Sequence, residues 1–367
     1  MAAPRPGDVA SGPDEAEDAG AELARLRREL AALQARHEGV LGSSSWRLTA
    51  PLRDLARWLA PLRTSGLRWL RRAPVIGPWL IRSALVRRHA RIHGVAPRLD
   101  PPITFNEHIL HRILFDRDPR LKVLNDKLAV RDFICARVGE AYVVPLLGVW
   151  SDPALVDWDQ LRVPFVLKPN HSSGPIAYVR TEADLDRVRL TALARGWLAV
   201  DYFDTSMEWG YRNLPRRLLA EPLLRGPDGA ALVEALVYTF HGRAAIVRVL
   251  VGVKGSRDRR GASFDAQGVL LPKMTSGPQS DVRLEPDLFD RLIALAEPLS
   301  AGFSHLRVDF NLTADGLMIS ELTPYTAGGT FQWDHPEWDD VLGRMWAEQE
   351  RLCTAMTNQA DGASAPF

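Results

Sequence analysis

The chain has 367 residues, 46% hydrophobic and 25% charged, with only two cysteines. This composition excludes a fibrous or wholly disordered protein, and Cys135 and Cys353 are too few for a disulfide framework or a zinc site. We read a compact, multi-lobed protein of one or two domains with a sizeable core, suited to a reducing, cytosolic compartment. The formal net charge of +1 conceals opposite blocks. Residues 1–41 balance to −3, residues 42–100 carry twelve Arg against Asp54 and Asp100, and residues 101–367 balance to −6.

Residues 1–20 are Pro-, Gly-, Ala- and acid-rich, a composition that cannot offset its ordering entropy, so a disordered tail is expected there. Leu23, Leu26, Leu30 and Leu33 repeat at steps of three and four over 21–41. That seam predicts a short coiled coil or an amphipathic helix packed on its own chain, the former making a homodimer. Residues 42–100 begin with the helix-capping run Ser43-Ser44-Ser45-Trp46 and continue as a basic, Trp- and Arg-rich helical segment. Its apolar runs are too short and Pro-rich to span a bilayer. Arg and Trp through 42–93 predict peripheral contact with an anionic membrane, or a basic face docked on the acidic remainder.

Downstream, helical patterns run through Thr104–Phe115 and Asp126–Arg137, around Glu182–Val200 and through Leu284–Ala301. Strand patterns occupy Tyr142–Val149, Phe165–Lys168, Leu218–Leu224, Leu232–His241, Ala244–Val253, His305–Leu312 and Gly316–Leu322. A Gly242-Arg243 turn joins one pair, and Thr313-Ala314-Asp315 joins the last. Hairpins mixed with helices predict an α+β fold rather than a doubly wound sheet. Residues 351–367 read as a C-terminal tail.

Four clusters carry candidate chemistry. Lys127 and Arg131 lie four apart, which predicts a shared helix face. Lys168 ends an apolar strand and leads into Pro169-Asn170-His171-Ser172-Ser173-Gly174, a small hydrogen-bonding loop suited to polyphosphate. Glu221 interrupts the apolar strand Leu218–Leu224 beside Pro222, as at a hinge meeting a planar base. Alternation on the last hairpin aligns Arg307, Asp309 and Asn311 on one strand, with Glu321 and Thr323 on the next. Two carboxylates brought together among apolar strands need a cation between them, and Mg²⁺ with nucleotide phosphates is the usual answer.

These clusters occur in the order of the ATP-grasp fold, and their wording resembles one branch of it, the teichuronopeptide-biosynthesis (TupA-like) family of bacterial surface-polysaccharide loci. The phrases NDKLAVRDFICARVG, VVPLLGVW, PFVLKPNHSSG, EWGYRNLPRRLLAEPLL, FHGRA, LSAGFSHLRVDFN and ISELTPYTAGG carry the resemblance across roughly 104–346. SSSWRLTAPLR after the heptads separately resembles an extension found on bacterial envelope glycosyltransferases.

The resemblance implies an ATP-grasp domain over 101–350, two α+β lobes clamping ATP with Mg²⁺. It implies Lys127 and Lys168 on the phosphates, His171, Ser172, Ser173 and Gly174 in the closing loop, and Glu221 at the adenine and ribose. Arg307 and Lys168 become the catalytic residues, Arg307 neutralising the transferring phosphoryl group, and Asp309 and Glu321 become the metal ligands. Glu208, Trp209, Tyr211 and Arg212 are candidates for substrate contact. The implied chemistry is ATP-dependent carboxylate–amine ligation through an acyl phosphate, on a sugar-acid, amino-acid or peptide substrate, with no nucleic acid involved. The implied place is the cytoplasm, or the inner face of the plasma membrane. A phosphotransferase or sugar-modifying transferase, and a catalytically degenerate nucleotide-binding scaffold, are the alternatives.

The chain departs from the family pattern in three places. Thr323 stands where many ATP-grasp enzymes carry Asn. Leu236 lies about where the branch carries a Lys, and His241 where it has Asp. The loop Lys254–Arg260 is one source for the missing positive charge.

Overall fold

The structure, a computed structural model, describes residues 70–226, 232–252, 259–274, 278, 280 and 282–348. The tails 1–20 and 351–367, the heptads of 21–41, the basic stretch up to residue 69 and most of the Lys254–Arg260 loop lie outside the described residues. A compact unit begins at Ala73 and holds all the described strands.

Two antiparallel sheets organise this unit. The smaller has four strands, β1 (Gly148–Trp150), β2 (Phe165–Pro169), β3 (Ala177–Val179) and β4 (Leu218–Pro222), in the order β1-β4-β2-β3. The larger has five, β5 (Val233–Phe240), β6 (Arg243–Val251), β7 (Arg260–Asp265), β8 (His305–Thr313) and β9 (Gly316–Thr323), in the order β7-β6-β5-β8-β9. Each sheet has its own core. Phe165, Leu167, Leu218 and Ala220 pack with Leu190 and Ala194 of a helix, α5 (Arg187–Ala199), in the smaller lobe. Tyr238, Phe240, Val308 and Phe310 belong to a larger cluster around Phe105 and Ile109 of α2 (Phe105–Phe115). Helix α7 (Pro286–Ser300) adds Phe289, Leu292, Ala296 and Leu299, a spacing of three and four that puts one apolar stripe on the sheet. The α+β class is what the alternation predicted, and the two lobes are what the family resemblance implied.

Local chemistry sets the element ends. Thr104 caps α2 through a capping box, its hydroxyl accepting from Glu107 N while the Glu107 carboxylate accepts from Thr104 N. The same carboxylate also accepts from Ile103 N and Arg98 N, so it fixes the chain entering the helix. From α2, the buried Arg112 donates to His305 O at 2.8 Å and Pro324 O at 3.0 Å. That ties the helix to the strand and the loop that carry the site.

Several boundaries differ from the sequence reading. Only Gly148–Trp150 of the expected Tyr142–Val149 strand forms β1, because a 3₁₀ turn takes Glu140–Tyr142 and Pro145 cannot donate to a ladder. The expected 182–200 helix is a 3₁₀ turn, Glu182–Asp184, followed by α5, which Asp186 caps by accepting from Arg189 N. The β5–β6 turn is His241-Gly242, both at positive φ, rather than Gly242-Arg243. Lys127 is not on a helix face. It occupies the turn between α3 (Arg120–Asn125) and α4 (Ala129–Val138), where Asp126 Oδ1 accepts from Leu128 N. Strands β3 and β7, helices α3 and α6 (Phe203–Ser206) and a helical stretch over 337–348 had no clear periodic signal, being short or mixed in polarity.

Candidate active site

The lobes face each other across a cleft of about 960 Å³. Its apolar walls come from Val130, Ile134, Val144, Val166, Ile319 and Leu322, and its polar groups include Lys127, Arg131, Lys168, Glu221, Asn311 and Glu321. One wall is the β2–β4 pair. The register sets Val166 opposite Glu221 and Lys168 opposite Leu219, so Lys168 and Glu221 are diagonal neighbours on one face. Lys168 Nζ lies 2.6 Å from Glu221 Oε2, and Arg131 Nη1 lies 3.7 Å from Oε1. Pro222, Leu223 and Leu224 continue the wall beyond Glu221, where the backbone leaves the sheet.

Lys127 reaches the same cleft from its turn. Its backbone N donates to Asn170 O at 3.1 Å, and its ammonium bonds Ser172 O. Burial pushes this lysine down to about 8, even though Glu321 favours its charge. Among the described residues no carboxylate lies within ion-pair distance of the half-buried Lys127 ammonium. The loop that follows Lys168 is held rather than open. His171 bonds Val200 O at 3.0 Å through Nε2, and burial pushes the ring's proton affinity down. Ser172 supplies the carbonyl that holds Lys127, while its buried hydroxyl has no partner among the described residues. Ser173 faces a second compartment, and Gly174 adopts φ +104, a conformation that suits glycine.

The opposite wall is the β8–β9 hairpin. Asp309 pairs with Glu321 and Arg307 with Thr323, so the expected carboxylate pair does form across two strands. Asp309 accepts a two-pronged bond from Arg307, Nε to Oδ1 and Nη2 to Oδ2, each 2.6 Å. Burial pushes the Asp309 carboxyl up to about 6, against the pull of Arg307. Although burial opposes its charge, Asp309 holds Arg307 firmly protonated. The same row of the sheet runs on through Leu236 of β5 to Arg248 of β6. The position expected to carry a lysine is thus apolar, and the next strand presents a guanidinium in the same row.

A second compartment of about 920 Å³ adjoins the cleft, and Asn125, Tyr211 and Glu321 line both. It holds Glu208 and Tyr211 from the expected substrate set, together with Arg307 and Thr323. Trp209 and Arg212 line neither space. Trp209 receives the cationic groups of Arg117 and Lys122 on its ring, and Arg212 lies over Phe203. Arg88, Tyr202 and Tyr325 line the compartment without having been singled out. Arg88 was hidden by the run of arginines around it. Tyr202 and Tyr325 stand alone among loop residues, with no pattern to mark them.

A family model, TupA-like ATPgrasp, matches residues 107–347. The chain belongs to this family. The TupA-like match covers both sheets, both walls of the cleft and residues 337–347 of the last helical stretch. No curated protein sequence matches the chain. Among solved structures, the ATP-grasp ligase PsnB, complexed with a phosphomimetic minimal precursor, Mg and ADP, is similar at 15% identity and a TM-score of 0.37, over 63% of this chain and 60% of that one. The D-alanine–D-alanine ligase of Bacillus anthracis is similar at 14% identity and 0.37, over 62% and 67%. The N5-carboxyaminoimidazole ribonucleotide synthetase of Thermus thermophilus is similar at 16% identity and 0.35, over 65% and 51%. The chain spans about 60% of the length of PsnB.

The residues present fit Mg·ATP. The apolar walls flank Glu221 and the strand exit where a base would lie, and the half-buried ammonium groups of Lys127 and Lys168 would supply positive charge for phosphates. Asp309, Glu321 and Asn311 are hard oxygen donors, and among the described residues no cluster of three or more His, Cys, Asp or Glu forms an all-protein metal cage. Magnesium typically takes one or two carboxylates and completes its shell with phosphate oxygens and water.

Proposed function

We propose that this TupA-like ATP-grasp protein is an ATP-dependent carboxylate–amine ligase acting in the biosynthesis or modification of bacterial cell-surface polysaccharide. The observation that carries the reading is the convergence on one cleft of Lys127, Lys168 and Glu221 from one wall with Glu321, the cross-strand partner of Asp309, and Asn311 from the other. ATP, when bound, supplies the phosphoryl group that activates a carboxylate as an acyl phosphate. Lys127 and Lys168 hold the phosphates, Asp309 and Glu321 hold the metal, and Arg307 offsets charge developing on the transferring group. His171, Ser172, Ser173 and Gly174 shape the loop that anchors Lys127 and borders the acceptor side. The substrate is a sugar acid, amino acid or peptide of the envelope, received beside Glu208 and Tyr211.

Mg·ATP at one hundred times its Kd should stabilise the protein by about 2.7 kcal/mol. Differential scanning fluorimetry reads this as a rise in Tm, and Lys168→Ala should remove most of it. Absence of any rise in the wild-type protein would sink the nucleotide reading. A non-catalytic scaffold is the second reading, because Leu236 is apolar and Asp309 is engaged by Arg307. ATP binding without ADP release on any envelope extract would favour it.

We place the protein in the cytoplasm, with 42–93 as the contact to anionic lipid and 21–41 as a dimerising seam. Support comes from the Arg/Trp composition and from Val75, Ile76 and Trp79, which are exposed where α1 (Ile76–His93) begins. No helix among the described residues is long and apolar enough to cross a membrane. Removing residues 1–72 and replacing the exposed Val75, Ile76 and Trp79 by Ser should lower co-sedimentation with phosphatidylserine vesicles, and unchanged sedimentation would refute the lipid contact.

A further inference from the structure

The second compartment contains two cations and two carboxylates, Arg88, Arg307, Glu208 and Glu321. Arg307 is engaged by Asp309, and Glu321 stands opposite Asp309 at the mouth of the nucleotide cleft. One charge of each sign is left over, Arg88 and Glu208. Their side chains converge above Gly328, where an added Cβ would fall 2.9 Å from Glu208 Oε1 and 3.0 Å from Arg88 Nη2. Arg88 Nη2 donates to Gly328 O at 2.9 Å, but its Nε is buried without a partner among the described residues. The Glu208 carboxylate makes no hydrogen bond or ion pair among the described residues.

Tyr202, Thr205, Thr323 and Tyr325 complete the wall. A half-buried carboxylate without a hydrogen-bond donor and a buried guanidinium N–H without an acceptor are both costly to leave unmatched. A ligand carrying the complementary charges would satisfy both. A neutral sugar would leave both unmatched, and a dianion would meet Glu208 and Glu321 together.

We propose that this compartment binds the amine-bearing acceptor as an α-amino-acid zwitterion, Glu208 accepting from its ammonium and Arg88 donating to its carboxylate. The proposal rests on the reading of the adjoining cleft as the ATP site. It assigns a specificity role to helix α1, which lies upstream of the span matched by the family model. Helix α1 also fixes the far wall, since His89 Nδ1 contacts Gly329 O at 3.4 Å. Burial, only partly offset by Arg88, pushes the Glu208 carboxyl up to about 8, in keeping with a group that lacks its cation.

The test is isothermal titration of the full chain. AMPPNP with Mg²⁺ is titrated first, followed by the twenty standard α-amino acids with D-alanine and D-glutamate, each compared with its N-acetyl and α-amide derivatives. At least one free amino acid should bind ten-fold or more tightly than either of its blocked forms. Glu208→Gln should erase the penalty for N-acetylation, and Arg88→Met the penalty for amidation. Arg88→Lys should restore part of the latter, and AMPPNP affinity in each variant reports that it is folded. If AMPPNP binds and no amino acid does, or the blocked forms bind equally well, the acceptor proposal is wrong while the ATP reading survives. If AMPPNP does not bind, the ATP reading falls and takes this proposal with it.

Discussion

Replacing Glu208 by Gln in metal-free protein should raise stability by an amount that grows with pH. The carboxyl is surrounded by Arg88, Glu321, Tyr202, Tyr211 and Tyr325, and desolvation, reinforced by Glu321 and opposed by Arg88, lifts it from 4.5 to about 8. A carboxyl held above its unfolded value binds its proton more tightly when folded. Its contribution is therefore fully present below pH 4.5 and is lost progressively as pH rises towards 8, with no further change above. At about 1.4 kcal/mol per pH unit, that interval corresponds to an upper limit of about 5 kcal/mol. Water entering the open compartment lowers the cost, so about 2–5 kcal/mol is expected. The attraction to Arg88 is already contained in the value of 8, so its loss needs no separate correction. Urea unfolding of wild type and Glu208→Gln at pH 5, 7 and 8.5 measures the difference, which should be small at pH 5 and largest at pH 8.5. A difference independent of pH, or a variant less stable than wild type at pH 8.5, would refute the reasoning.

Other substitutions probe the two walls. Asp309→Leu alone leaves Arg307 buried without its fork and should cost about 3–5 kcal/mol in urea unfolding. The double replacement Arg307→Met with Asp309→Leu should recover most of that loss, and failure to recover would show that the pair is not the source. Gly343→Ala would place a Cβ 2.0 Å from the Ile103 carbonyl oxygen and should destabilise by about 1–3 kcal/mol or more. By contrast, Gly196→Ala in α5 meets nothing within 4 Å and should stabilise by about 0.5–1 kcal/mol. Thermal melts of the two alanine variants should therefore move in opposite directions.

Much of the site was legible because β-structure has a period of two. Alternation alone placed Arg307, Asp309 and Asn311 on one strand face, but the turn is Ala314-Asp315 rather than Thr313-Ala314-Asp315, and Glu321 comes opposite Asp309 only through a bulge that takes up Ser320. Lys168 and Glu221 were legible as charges on otherwise apolar strands, where burying a charge is costly without a partner. Their direct pairing was not, because β4 joins β2 only after β3, α5 and α6 have intervened. Lys127 does line the cleft, but not from the helix face expected of it. The Asp126 side chain bonds the backbone of Leu128, which holds Lys127 in a turn and aims it at Ser172 rather than along a helix.

By itself the sequence determined the α+β class, the apolar strands and helices, and the few charges that interrupt them, since hydrophobic periodicity and charge are local properties. It also carried the blocks behind a net charge of +1, whose near-neutrality says nothing of the cleft. Tertiary structure alone decided which charges neutralise one another and which remain unpartnered. Arg307 became Asp309's partner, Lys127 was left with carbonyl oxygens, and Arg88, one arginine among many on a basic segment, turned inward beside Glu208. The physical reason is that the worth of a charge depends on its dielectric surroundings and its nearest opposite charge, and both are set by packing between elements far apart in the chain.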